Sequence, residues 1–112
     1  MLSFDKERKG YTNNNIALEV SRLESWLSMN PDVWDRFERY SMDEVKAGRK
    51  FGGQAIAERV RWLDLVDKEG KPAHIPNEAV AWLSRRLVAK HPEAKSYIKL
   101  RRSKFDGVVF DA

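Results

Sequence analysis

Basic side chains concentrate in the last third of the chain, where they could bind phosphate groups. Residues 71–112 carry nine Lys and Arg against four Asp and Glu, whereas residues 1–30 and 31–70 are close to balance. This local excess accounts for the formal net charge of +4. Cations that neutralise phosphates release counterions, which supplies affinity with little sequence preference. The candidate nucleic-acid-binding residues are Trp82, Arg85, Arg86, Lys90, Lys99, Arg101, Arg102 and Lys104.

Four of these candidates fall on a helix predicted from Asn77, a favourable N-cap, to about Lys90. At 100° per residue, Trp82 and Arg85 lie largely opposite the apolar face of this helix. An outward Trp82 could stack on a base while the neighbouring Arg side chains bind phosphates. Alternatively, Trp82 packs under the first helix or the C-terminal hairpin, because a small domain needs its large aromatic side chains for burial. Both interpretations stay open.

The other four candidates lie on the segment 97–104, whose composition favours a β-strand. Asp106-Gly107 is a typical two-residue hairpin turn, so residues 108–110 are predicted to return as a second strand. Basic side chains near the tip of such a hairpin suit the phosphate backbone of a nucleic acid. The same charges would also protect an edge strand against aggregation, which is the alternative explanation.

No catalytic or metal-binding pattern accompanies the basic residues. The chain has no Cys, and its two His residues, His74 and His91, lack the i, i+4 partner of a metalloprotease helix. At the predicted C-terminus of a helix, His91 would complement the helix dipole. The Gly52-Gly53 pair lacks the flanking residues of a phosphate-binding loop and is more typical of a tight junction between helices. We therefore expect no enzyme activity, no metal and no cofactor.

Three more helices are predicted upstream from apolar residues that recur at three- and four-residue steps. The first begins at Asn14 or Asn15. The second begins at Asn30-Pro31, where Asn30 caps the helix and Pro31 occupies a position that needs no hydrogen-bond donor. The third spans residues 54–66.

These elements predict a flexible arm at residues 1–13 and a single helical domain over residues 14–112. The expected class is mostly α, of the α+β type, with a C-terminal β-hairpin. The apolar stripe at residues 16–27 either closes the core or forms a homodimer with a second copy of the chain. No apolar run approaches the ~18 residues of a membrane span. The absence of Cys fits a reducing compartment, so we expect a cytoplasmic protein.

Two segments resemble a family of small bacteriophage and prophage proteins. They read NPDVWDRFERY continuing through GRKFGGQAIAERVRW (residues 30–40 and 48–62), and IPNEAVAWLSRRLVAKHP followed by YIKLRRSK (residues 75–92 and 97–104). The chain departs from the family at residues 78–81, where members usually carry Tyr or Phe. The resemblance implies a phage or prophage origin and a host bacterial cytoplasm, and it carries over no catalytic residues.

The order of elements also resembles a winged helix, with the helices at 54–66 and 77–90 as the helix-turn-helix and the hairpin as the wing. The connection at 67–76 is longer than the turn of the simple motif. This arrangement implies a protein that contacts duplex DNA through its last helix and a basic wing. The alternative is a module that binds and modulates a host bacterial protein, with Trp82 as the anchor and the basic ribbon against an acidic surface.

Overall fold

Four α-helices and a two-stranded parallel sheet build the part of the chain described by a computed structural model, residues 5–110, with side chains described from Asn15 onward. This architecture confirms the expected mostly α, α+β class. The elements in chain order are α1 (Asp5–Met29), α2 (Pro31–Lys46), β1 (Phe51–Gly52), α3 (Gly53–Arg61), α4 (Asn77–Lys90), a 3₁₀ helix (Pro92–Ser96) and β2 (Ile98–Lys99).

The first helix begins earlier than the sequence predicts. Residues 5–13, assigned to a flexible arm, lie within α1, and residues 1–4 fall outside the described part of the chain. Further along α1, Leu23 and Leu27 are buried in the core, and Val20 packs against it. The stripe from Val20 to Leu27 therefore packs within the monomer, as the first of the two alternatives expects, whereas Ile16 at its start is not part of this core.

Asn30 separates α1 from α2 by a mechanism different from the predicted cap. Its side chain makes no capping bond to α2. Instead, its Nδ2 donates to the carbonyl oxygen of Trp26 at 2.9 Å, and its backbone N–H donates to Leu27 O at 2.9 Å. Asn30 thus satisfies carbonyl groups at the end of α1, which otherwise lack intrahelical donors. Pro31 begins α2 as predicted.

The third helix ends at Arg61, five residues before its predicted end at Val66. The chain leaves the helix through Asp64, which has a φ of 52° in the left-handed region that Asp tolerates. Residues 62–76 then form an irregular connection held by an antiparallel bridge between Val66 and Pro72. A helix-turn-helix with a short turn is therefore not formed here.

The predicted C-terminal hairpin is wrong. Residues 98–99 pair in parallel with β1, and residues 100–110 contain no strand. Gly107 has a φ of 89°, whereas the φ of Asp106 is not positive. The Val108 N–H donates to Phe105 O at 3.1 Å, which closes a turn over residues 105–108. This pattern fits a type II turn, whereas a two-residue hairpin favours types I′ and II′ that match the strand twist. The buried Phe105 then anchors the segment to the core instead of a second strand.

Candidate nucleic-acid interface

A groove of about 560 Å³ opens between the N-terminal ends of α3 and α4 and the segment that follows β2. None of its lining residues is Asp or Glu, and four are Lys or Arg. The lining consists of Gly52, Gly53, Gln54, Asn77, Val80, Ala81, Ser84, Arg85, Lys99, Leu100, Arg101, Arg102 and Ser103.

The groove depends on a close approach between the start of α3 and the middle of α4. A Cβ atom added at Gly53 would overlap Ser84 Oγ. Ser84 is itself buried and donates to Val80 O at 2.8 Å, so it has little freedom to withdraw. Gly53, the second glycine of the Gly52-Gly53 pair, thus forms the tight junction between helices that the sequence predicts.

The parallel pairing of β1 with β2 brings basic side chains to this junction. Gly52 lies opposite Lys99, so the chain after β2 leaves the sheet beside the first turn of α3. Lys99, Arg101 and Arg102 are exposed and make no ion pair with other described residues. The first turn of a helix carries free N–H groups and a partial positive charge. Three cations outside any close ion pair therefore meet a helix N-terminus at one groove, and Arg102 among them lies near enough to Asp106 to help lower the pKa of that carboxyl.

Arg85 lines the groove, but its charge is already matched. Its Nε and Nη2 lie 3.0 Å and 2.9 Å from Asp106 Oδ1. The guanidinium also donates to the backbone carbonyls of Ala81 and Arg101. The Ser103 N–H and then Arg85 lower the pKa of Asp106. Arg85 thus holds the chain after β2 against α4, which makes it a structural residue of the groove.

Trp82 is fully buried, so the prediction that it stacks on a base is wrong and the alternative of burial is right. Its ring centroid lies 6.0 Å from that of Phe110. The projection at 100° per residue placed Trp82 opposite the apolar face of α4. That side of the helix is also buried, because the helical core covers one side of α4 and the C-terminal segment covers the other. Burial also removes Trp82 as the anchor for a protein partner.

The remaining three candidates, Arg86, Lys90 and Lys104, lie away from the groove. Arg86 is half-buried, with its guanidinium 4.7 Å from the centroid of the Trp34 ring. Lys90 Nζ lies 2.9 Å from Glu38 Oε2, and Lys104 Nζ lies 2.7 Å from Glu19 Oε2. The eight candidates therefore do not form one surface.

Glu38 ties the end of α4 to α2. His91 Nε2 lies 2.8 Å from the same Oε2 atom that pairs with Lys90. Burial raises the pKa of Glu38, but the bonds from His91 and Lys90 outweigh this effect and hold the pKa below its ordinary value. His91 was expected to complement the helix dipole, and here it links two helices.

The sequence missed the backbone of α3 as part of the site. Gly53 and Gln54 begin this helix at the edge of the groove. The only local signal was the glycine pair that follows Arg49-Lys50. Nothing in that signal indicates that residues 99–102 lie beside it, because the two segments meet only through the parallel strand pairing.

Two other properties concern only the described residues, 5–110. Among the side chains that the structure describes, those of residues 15–110, no group of three or more His, Asp or Glu is placed to hold a metal ion. Over residues 5–110, no helix is both long and apolar enough to cross a membrane.

Comparisons with known proteins find no matching family model, no matching curated protein and no matching solved structure. The resemblance to small phage proteins therefore stays a prediction. The interpretation of the groove depends on its own geometry and charge.

Proposed function

We propose that the protein binds duplex DNA by holding the phosphate backbone in the groove between α3, α4 and the chain after β2. The observation that carries this proposal is the convergence of Lys99, Arg101 and Arg102 on a groove whose lining contains no acidic side chain. Arg guanidinium groups bind phosphate oxygens bidentately, and a nearby helix N-terminus adds favourable dipoles. The contact surface is this groove, and no hairpin wing takes part.

The composition of the groove favours a duplex over a single strand. Proteins that bind single strands stack bases on exposed aromatic side chains. None of the groove's lining residues is aromatic, and Trp82 is buried. Contacts to phosphates alone position a duplex without reading its sequence. We therefore expect similar affinity for unrelated duplex sequences.

The test is fluorescence anisotropy of a labelled random duplex of ~25 bp, titrated with protein at several salt concentrations. Each neutralised phosphate contributes about −0.9 to the log–log salt slope, so three contacts predict a slope near −3. Arg101→Ala with Arg102→Ala should weaken binding on every sequence and reduce the steepness of the slope by about two.

The matched control removes two charges elsewhere. Arg39 and Lys46 are exposed on α2 and make no ion pair with other described residues. The double variant Arg39→Ala, Lys46→Ala should keep the wild-type slope. Equal loss in both double variants would mean that net charge alone causes binding. No binding at low salt would exclude the proposal.

Binding to a host bacterial protein is a second candidate, favoured by one observation. Trp62 is 83% exposed at the end of α3, with the exposed side chains of Leu63 and Val66 on the same connection. Exposed Trp residues are enriched among those that dominate binding energy at protein interfaces. A host protein retained in stoichiometric amount after nuclease treatment, lost in Trp62→Ala and kept in Arg101→Ala, Arg102→Ala, would favour this function over DNA binding.

A further inference from the structure

A second pocket, of about 270 Å³, opens on another side of α4, where this helix meets α1 and α2. Its walls are largely apolar and aromatic, with one basic and one acidic side chain. The lining consists of Glu24, Leu27, Ser28, Pro31, Trp34, Trp82 and Arg86. None of these residues lines the groove proposed to bind DNA, so the two sites share no lining residue.

Arg86 lines this pocket and forms no ion pair with a described residue, although the Glu24 carboxylate lines the same pocket. Its neighbours Arg85 and Lys90 both pair with carboxylates, whereas Arg86 has no ion pair with a described residue. The guanidinium lies over Trp34, 4.7 Å from the ring centroid, and 5.9 Å from that of Trp82. Stacking on aromatic rings holds the planar group in one orientation. A fixed guanidinium without a partner is suited to binding a carboxylate through two parallel hydrogen bonds.

Two buried donors on this face of α4 lack acceptors. The Nε atom of Arg86 and the Nε1 atom of Trp82 are both inaccessible to water and make no hydrogen bond. Residues four apart in a helix share one face, so these donors belong to the same wall. Buried polar groups are almost always paired in native proteins. Because the Nε atom of Arg86 is covered, the two terminal nitrogens of its guanidinium are the donors that a ligand in the pocket can reach, and the two covered N–H groups lie on the wall beside them.

We propose that the pocket binds a carboxylate joined to an apolar or aromatic body. The carboxylate would accept hydrogen bonds from Arg86, and the body would pack against Leu27, Pro31 and Trp34. The volume lies just below the ~300–1,000 Å³ of drug-sized ligand sites, which suits a small arylcarboxylic acid or the last residue of a peptide. The apolar walls and the nearby Glu24 carboxylate disfavour a phosphate group with two negative charges.

The test uses ¹⁵N-labelled protein and follows the indole N–H of Trp82 and the Nε–H of Arg86 by NMR. Benzoate is the first probe, and N-acetyl-alanyl-phenylalanine is the second. Saturable shifts at both resonances are expected for at least one probe. Tighter binding of benzoate would identify a small acid as the ligand class, and tighter binding of the dipeptide would identify a peptide C-terminus. The corresponding dipeptide amide, which lacks the carboxylate, should not bind.

The variant Arg86→Met keeps an unbranched side chain over Trp34 and should weaken binding at least tenfold. Arg39→Met makes the same change at an exposed position outside the pocket and should leave binding unchanged. If Arg86→Met unfolds, Arg86→Lys keeps the charge without the planar fork and should also weaken binding. Glu24→Gln should strengthen binding several-fold, because it removes a negative charge beside the ligand.

Several results would overturn the proposal. One is the absence of saturable shifts at Trp82 and Arg86 with either probe. Another is equal affinity in the Arg86 and Arg39 variants, or unchanged affinity in Glu24→Gln. Inorganic phosphate binding as tightly as benzoate would reject a carboxylate as the ligand.

Discussion

Arg85 and Arg86 are adjacent in the chain, yet they face two regions of the molecule with different surroundings. Arg85 lines the groove, where Asp106 and two backbone carbonyls bind its guanidinium. Arg86 lines the pocket on another side of α4, stacked on Trp34 without an ion pair to a described carboxylate. In the groove, the unpaired charges therefore come from other residues, Lys99, Arg101 and Arg102.

The difference shows that a basic sequence and a basic surface are separate properties. In the groove, Arg85 binds the chain that follows β2, while the cations on that chain are exposed. In the pocket, aromatic side chains surround the cation. Charge counting along the sequence treats all of these residues alike, although only those without a protein partner can bind an external anion at little cost.

The largest expected effect comes from Trp82, which lines the Arg86 pocket from within the core and is absent from the groove. Trp82→Ala should lower the free energy of unfolding by about 3–5 kcal/mol, because it removes a fully buried aromatic side chain and leaves a cavity. Trp62→Ala is the control, and its effect should stay within about 0.5 kcal/mol because Trp62 is exposed. Urea unfolding followed by circular dichroism measures both. Similar costs for the two variants would contradict the burial of Trp82.

An intermediate effect is expected at the glycine that shapes the groove. Gly53→Ala should destabilise the protein by about 1–3 kcal/mol, because the new methyl group overlaps Ser84 Oγ. The same substitution at Gly52, which has open space around its Cβ position, is the control. Ser84→Ala should restore part of the stability of Gly53→Ala in the double variant. Additive effects in this double-mutant cycle would show that the two residues do not meet.

The smallest effect concerns pH and the end of α4 beside Lys90 and His91. The pKa of Glu38 is lower in the folded protein than its ordinary value of 4.5. Its contribution to stability is therefore present above about pH 4.5 and is lost as pH falls through the folded pKa. Because the pair is partly exposed, the contribution should stay below about 1 kcal/mol.

The melting temperature, measured from about pH 3 to about pH 7, tests this contribution, because the Glu38 carboxylate is expected to lose its charge within this range. Glu38→Gln should flatten the acid side of the profile, whereas Asp35→Asn, at an exposed position on the same helix, should not. A profile unchanged in Glu38→Gln would mean that the ion pair contributes nothing to stability.

Local signals in the sequence predicted several helix limits well. The last helix spans Asn77–Lys90, close to the prediction, although Asn77 lies inside the helix without a capping bond and Pro76 takes the predicted N-cap position. Pro31 begins α2 as expected. These limits depend on the conformational preferences of a few consecutive residues, which are visible in the sequence. The end of α3 was predicted wrongly because apolar residues continue the helical spacing beyond Arg61, while the chain turns at Asp64.

By itself, the sequence determined the class of the protein, most helix starts and the local excess of positive charge. Only the tertiary structure decided which basic residues stay exposed without a partner, that Trp82 is buried, and that β1 pairs with β2 instead of a C-terminal hairpin. The physical reason is distance along the chain. Helix starts depend on neighbouring residues, whereas burial, ion pairing and strand pairing depend on contacts between remote segments that exist only once the core has formed.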